Sequence, residues 1–348
     1  MVRYDPAWLD QLCLSGELSW ARLFADGDAD GPHSGANRAS PISLVFRDQM
    51  DAWLSLAGTQ SSHANGNGSS SGENRGNVGI GSTALQVLEH LQRHGACFFQ
   101  ELVSGTKLLR TAVENALREL IASGWVTADG FAALRALVIA PDKALGTGPA
   151  KHKDGRPGTL PMIPPSAGRW SVLRRNGKAI SEPREPAPSA VEGEGSAPAA
   201  DLDPVKLCAW QLLRRYGIVF HRLVERESGQ PPWRELLYCF RRLEARGEIR
   251  GGRFVNGFSG EQYALPEAIQ ELRAIRRRAP SGMIVAVSAA DPLNLAGITT
   301  PGEKITALAT NRILYRDGIP IAARETGKVI DLHSSAAELR KEIEARLK

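Results

Sequence analysis

Pro231-Pro232-Trp233-Arg234-Glu235-Leu236-Leu237-Tyr238-Cys239-Phe240-Arg241-Arg242-Leu243-Glu244-Ala245-Arg246-Gly247-Glu248-Ile249-Arg250-Gly251-Gly252-Arg253-Phe254-Val255 is the stretch that decides the fold. The two prolines open a helix, because a proline at the first turn gives up no hydrogen bond. Leu236, Leu237, Phe240 and Leu243 recur at helical spacing and define an inward face. Gly247 ends the helix. Glu248-Ile249-Arg250 and Arg253-Phe254-Val255, joined by Gly251-Gly252, read as a hairpin. Upstream, Asp203 caps a helix that has Pro204 at its first position and an apolar stripe of Leu207, Trp210 and Leu213. Gly217 ends that helix, and β-prone Ile218-Val219-Phe220 follows. A short helix through Leu223 and Val224 comes next. Three helices followed by a hairpin make a winged helix-turn-helix over residues 203–279.

The same unit occurs once more. Arg93-His94-Gly95 lies over Arg215-Tyr216-Gly217, and Phe98 over Phe220. Leu117 to Val126 lies over Phe240 to Ile249, and Phe131 follows Gly124 at the spacing of Phe254 from Gly247. Repetition of one supersecondary unit indicates tandem modules, so residues 83–142 are expected to form another winged helix.

Stretches of different composition separate the units. Residues 58–82 are rich in Gly, Ser and Asn, and 143–202 in Pro, Gly, Ala and Glu, the compositions of linkers. Residues 26–39 read as a loop inserted into the segment 1–57, which is too short to bury much surface and is expected to pack on another unit. Residues 280–348 change character. A buried-type strand, Met283-Ile284-Val285-Ala286-Val287, precedes a meander through Arg312–Tyr315, Ile319–Ala323 and Lys328–Leu332. Ser335 and Glu338 form a capping box for a last helix. The expected class is α+β: tandem winged helices, then a small β-barrel capped by a helix.

Composition narrows the function. With 348 residues, 42% hydrophobic and 23% charged, the chain can build two or three cores. No apolar run nears the roughly 20 residues of a membrane span, and the N-terminal residues lack a signal-peptide core. Cys13, Cys97, Cys208 and Cys239 are scattered, which argues against a disulfide scaffold or a four-cysteine zinc site. His90 and His94 stand four apart, but they align with the repeat as structural positions, and no metal or other cofactor is expected. There is no GxxxxGK[ST] phosphate loop, hence no ATPase motor, and no GxSxG or HExxH. The net charge is +5, while residues 203–280 hold 15 Lys and Arg against 9 Asp and Glu. An excess confined to one module marks a phosphate-facing surface.

The candidate nucleic-acid contacts follow from the helix geometry. On the decisive helix Arg234, Tyr238, Arg241 and Arg242 point outward, and Arg250 and Arg253 flank the wing. Trp233 staples the helix start or touches DNA. The first repeat contributes Lys107, Arg110 and Arg118. Two carboxylates stand in unusual contexts, Glu261 just past the wing and Asp291 in Ser288-Ala289-Ala290-Asp291-Pro292 after the buried strand. Asp before Pro at a strand end also serves as a turn device.

Several long blocks carry a family resemblance. Pro232–Leu237, Arg242–Val255, Gly257–Pro266, Ser288–Leu295, Pro301-Gly302-Glu303, Leu314–Gly318, Leu12–Glu17 and Val126–Arg135 resemble the C-terminal region of bacterial large helicase-related (Lhr) DNA-repair proteins. The resemblance implies winged helices ending in a β-barrel, similar to winged-helix DNA glycosylases, and a helicase core that this sequence lacks. It further implies a DNA-binding module for single-stranded or forked DNA, in the cytoplasm at the nucleoid, served by a helicase core on a separate chain. A DNA glycosylase that excises uracil or alkylated bases is the second reading. Asp291 and Glu261 are its candidate catalytic groups, since base excision needs a flipped base and a carboxylate that orients water. The glutamine–hydrophobic–glutamine motif of those glycosylases has no counterpart at Gln11, Gln49 or Gln86. A protein-docking module that forms a homo-oligomer is the third.

Overall fold

A computed structural model describes residues 5–24, 41–64, 80–139, 168–175, 178–179, 203–292 and 294–333. The expected inserted loop at 26–39, most of both linkers and the C-terminal helix with its capping box lie outside these residues. The chain divides into two compact units, residues 1–207 and 208–348.

The first unit begins with helix α1 (Pro6–Leu14), whose Asp5 carboxylate accepts from the Ala7 amide. Strands β1 (Leu18–Ala21) and β2 (Ser43–Phe46) pair antiparallel. Helix α2 runs Met50–Ala64, past residue 58, where composition placed the start of a linker. Then come α3 (Ser82–His94), β3 (Cys97–Phe98), α4 (Phe99–Thr106), α5 (Arg110–Ala122), β4 (Val126–Ala128) and α6 (Phe131–Ile139). The sheet is completed by β5 (Arg169–Val172), which lies between β3 and β4 and pairs antiparallel with both. That strand falls inside the stretch read as a linker. Short strands β6 (Arg174–Arg175) and β7 (Lys178–Ala179) pair beside it.

The core of this unit is built from the inward stripes of α3 and α5, with Val87, Leu88, Leu91, Val113, Leu117 and Leu120 all buried. Trp20 and Trp170 are both fully buried and meet edge to face, with ring centroids 6.2 Å apart. The Trp20 indole donates to the Gly130 carbonyl at 3.3 Å, and the Thr127 hydroxyl donates to the Trp20 carbonyl at 2.5 Å. Through Trp20 the N-terminal segment packs against the residues of this sheet.

Helix α7 (Pro204–Tyr216) starts on Asp203, which accepts from the Val205 amide, and leads into the second unit. There β8 (Ile218–Phe220), α8 (His221–Val224), α9 (Trp233–Ala245), β9 (Arg250–Gly252) and β10 (Gln262–Ala264) follow in order. The sheet order is β8-β10-β9, all antiparallel. The strand order matches that of the first unit, and the element order does so as far as the second strand, after which the first unit alone carries a helix, α6, before its third strand. The matched glycines behave alike: Gly95 and Gly217, then Gly124 and Gly247, all have positive φ, which frees the chain to turn after each helix.

Two expectations change here. Gly251-Gly252 is not the hairpin turn: both residues lie within β9, and the wing spans 253–261. The C-terminal segment is an open sheet. Strands β11 (Ile284–Ser288), β12 (Arg312–Arg316), β13 (Ile319–Glu325) and β14 (Lys328–Asp331) form an antiparallel meander in chain order. Among the described residues its first and last strands do not pair, so no closed barrel forms. Four strands of this length are too few for the tilt and stagger that closure demands. Helix α10 (Pro266–Arg277) joins β10 to this sheet.

Candidate nucleic-acid interface

Helix α9 places the candidate contacts. Leu236, Phe240 and Leu243 are fully buried, so the period of the helix turns Arg234, Tyr238, Arg241 and Arg242 to the outside, where all four are exposed. Trp233 packs at the helix start, edge-on to His221 at 5.3 Å and against Phe240 at 6.1 Å. Tyr238 is 66% exposed, and the Arg242 guanidinium lies over its ring, 5.8 Å from the centroid. These residues are four apart, the spacing at which helix neighbours meet.

Arg241 turns the other way. Its guanidinium grips Glu261 with two bonds, Nε at 3.2 Å and a terminal nitrogen at 2.7 Å. The Tyr263 hydroxyl donates to the same carboxylate at 2.5 Å. Tyr263 is itself buried and stacks on Phe240 at 5.2 Å. Hydrogen bonds from Arg241 and then Tyr263 hold the Glu261 carboxyl below the usual carboxylate value. Burial, then the bond to Glu261, pushes the Tyr263 phenol up. The three side chains fasten the far end of the wing to α9.

The near end of the wing is fastened by residues that the sequence reading passed over. Gln262 is fully buried; its carbonyl oxygen accepts from the Phe254 and Val255 amides, both at 2.8 Å, and its amide donates to the Val255 carbonyl at 2.8 Å. Glu244 of α9 accepts from the Gly251 amide at 3.0 Å. A Cβ on Gly251 would stand 2.5 Å from that carboxylate, so any side chain there requires Glu244 to move from its present position. The signal for Gln262 was a polar residue at an inward strand position, legible only once the register is known.

Arg250 and Arg253 are exposed beside the wing. Neither they nor Arg234 have a side-chain partner among the described residues. The first-repeat candidates are placed differently. Arg118 donates to the Leu137 carbonyl at 3.0 Å and to Asn115 at 2.7 Å, and burial lowers its pKa. Arg110 pairs with Glu114 at 3.1 Å and lies over the Phe99 ring. Lys107 is exposed, in the left-handed conformation at the end of α4. Two of these three cations are committed to their own fold.

Asp291 is half-buried in the turn after β11, where its amide donates to the Ser288 carbonyl and its carbonyl accepts from the Asn294 amide. Its charge raises the Tyr315 pKa, second to burial, and the Tyr315 hydroxyl donates to the Asn294 side chain at 3.3 Å. Arg226 ties this loop to the winged portion through the Asn294 carbonyl at 3.0 Å. His90 and His94 stack ring on ring at 4.1 Å. Among the described residues no group of three or more His, Cys, Asp or Glu is gathered as a metal site, and no helix is long and apolar enough to cross a membrane.

Residues 199–284 match the family described as large helicase-related protein, winged-helix domain. That range holds α9, the wing and every basic candidate of the second unit. Two curated relatives align over most of the chain. The "Lhr helicase/ probable uracil glycosylase" of Mycolicibacterium smegmatis is 28% identical over 336 residues, 90% of this chain and 19% of the relative. The "Lhr helicase/uracil glycosylase" of Escherichia coli is 29% identical over 332 residues, 89% of this chain and 18% of the relative. The chain thus spans about a fifth of the length of these relatives. The chain is thus similar over most of its length to part of the large helicase-related proteins, and its residues 199–284 match the winged-helix domain of that family.

Proposed function

We propose that this chain is a DNA-binding module of an Lhr-type repair system, with two winged-helix units of which the second makes the main contacts. The observation that carries this reading is the set of free cations, Arg234, Arg250 and Arg253, on a helix and a wing held together as one surface. Free guanidiniums on a rigid frame release counterions when they meet phosphates, so affinity falls with salt at a slope that counts the contacts. The matched strand orders, and an element order shared as far as the second strand, support the tandem reading. Translocation is assigned to a helicase core outside this sequence, as the relatives' names suggest.

The test is fluorescence anisotropy on labelled single-stranded and forked DNA over a salt series. Binding whose log–log slope drops by about 2 in the Arg250→Ala/Arg253→Ala double variant is the expected result. Tight self-association with no DNA binding would overturn it in favour of a docking module.

Base excision is the second reading. Both relatives carry uracil glycosylase in their names, and Asp291 stands half-buried in a polar loop with Asn294 and Tyr315. Asp291 rather than Glu261 is the proposed water-orienting group, since both Glu261 oxygens are already taken by Arg241.

A further inference from the structure

Among the outward side chains of α9, Tyr238 is the one the phosphate reading leaves without a task. It is a large aromatic ring, 66% exposed, in the middle of the helix that the module presents. Among the described residues its hydroxyl has no hydrogen-bond partner, so nothing in the fold accounts for its position. The Arg242 guanidinium lies over the ring at cation–π distance, 5.8 Å from its centroid. An exposed ring with a cation beside it offers a flat polarizable face on which a nucleobase can stack.

The charges around it distinguish between two forms of DNA. A helix seated in the major groove of a duplex lies between two phosphate backbones and needs a positive face. The outward face of α9 is close to neutral. Arg241 is matched by Glu261, and the helix also exposes two carboxylates, Glu235 and Glu244, against Arg234 and Arg242. The other unpaired guanidiniums stand on the adjoining wing, at Arg250 and Arg253. A near-neutral helix with an aromatic platform, bordered on one side by guanidiniums, suits one strand: its backbone follows the wing and its bases turn onto the helix.

We infer that Tyr238, backed by Arg242, is a stacking platform for an unpaired DNA base, which makes single-stranded or frayed DNA the preferred ligand of this helix. The inference rests on the DNA-binding reading above. Arg242 is the positioning residue: it holds the phenol plane from behind and adds a cation to the stack.

The test uses the full chain and an oligonucleotide with 2-aminopurine at a single position, whose fluorescence is quenched when it stacks. Titration into single-stranded DNA, and separately into a fully paired duplex of the same sequence, reads affinity and stacking together. The expected result is quenching in the single strand, roughly tenfold weaker binding and loss of quenching in Tyr238→Ala, and retention of both in Tyr238→Phe. Duplex affinity stays within about twofold in all three proteins. Equal loss on duplex and single strand in Tyr238→Ala would make the tyrosine a groove contact and overturn the proposal. Unchanged single-strand binding and quenching in Tyr238→Ala would overturn the stacking role and leave the DNA-binding reading intact. No salt-dependent binding of either DNA by the unsubstituted chain would remove both.

Discussion

The carboxylate of Glu261 is clamped by a guanidinium and a phenol, and its acidity records that grip. Its pKa is held below the ordinary 4.5 by Arg241 first and Tyr263 second. A carboxyl made more acidic by folding adds stability above its unfolded pKa and loses it as pH falls through the folded value. The clamp is therefore intact at neutral pH and lost below pH 4.5. Hydrogen-exchange protection of the wing amides, Gly251 to Val255, is expected to fall in that acidic range. In Glu261→Gln it is reduced at every pH and the acid step disappears. A protection profile equal to that of the unsubstituted chain would show that the wing is held by Gln262 and Glu244 alone. The sequence singled out Glu261 as a candidate catalytic carboxylate; the structure places it in this clamp. Its partner Arg241 lies 20 residues away, across a helix end and one strand, and no local pattern announces that pairing.

At the scale of elements, the helices were legible and the strand partnerships were not. Helix α9 has the period, the opening prolines and the closing glycine that its residues promise. The first repeat was equally readable up to β4. Beyond it the two copies part: Phe254 enters the wing, whereas Phe131 opens α6. The strand that completes the first sheet, β5, stands after a long Pro- and Gly-rich stretch, because a sheet partner is chosen by register and burial rather than by nearness in sequence. Trp170 shows that β5 belongs to the core, being fully buried against Trp20. Trp170→Ala is expected to destabilise the first unit by roughly 3–5 kcal/mol, as a fall in the urea midpoint followed by circular dichroism. A change under 1 kcal/mol would mean the strand is dispensable. The glycine pair of β9 was misread for a related reason. Gly-Gly favours turns in general, and only the structure shows the Glu244 carboxylate lying close against the strand at Gly251.

Over the whole molecule, charge is partitioned more sharply than the composition shows. The first unit spends Arg110 and Arg118 on its own packing, while the second leaves Arg234, Arg250 and Arg253 to the solvent. If excision belongs to this chain, uracil release from single-stranded DNA is expected to vanish in Asp291→Asn while binding by anisotropy stays within about twofold, because chemistry and phosphate contact lie on different elements. Release that survives Asp291→Asn would move the chemistry elsewhere. The strand order also carries a consequence for synthesis. In both sheets the middle strand is the last one made. In the second unit β10 follows β9 by ten residues. In the first, β5 trails β4 by about 40 residues, which at roughly 5–20 residues per second is some 2–8 seconds of translation. For that interval the growing chain has two outer strands with nothing between them, a window in which a chaperone or a neighbouring nascent chain competes for the vacant place.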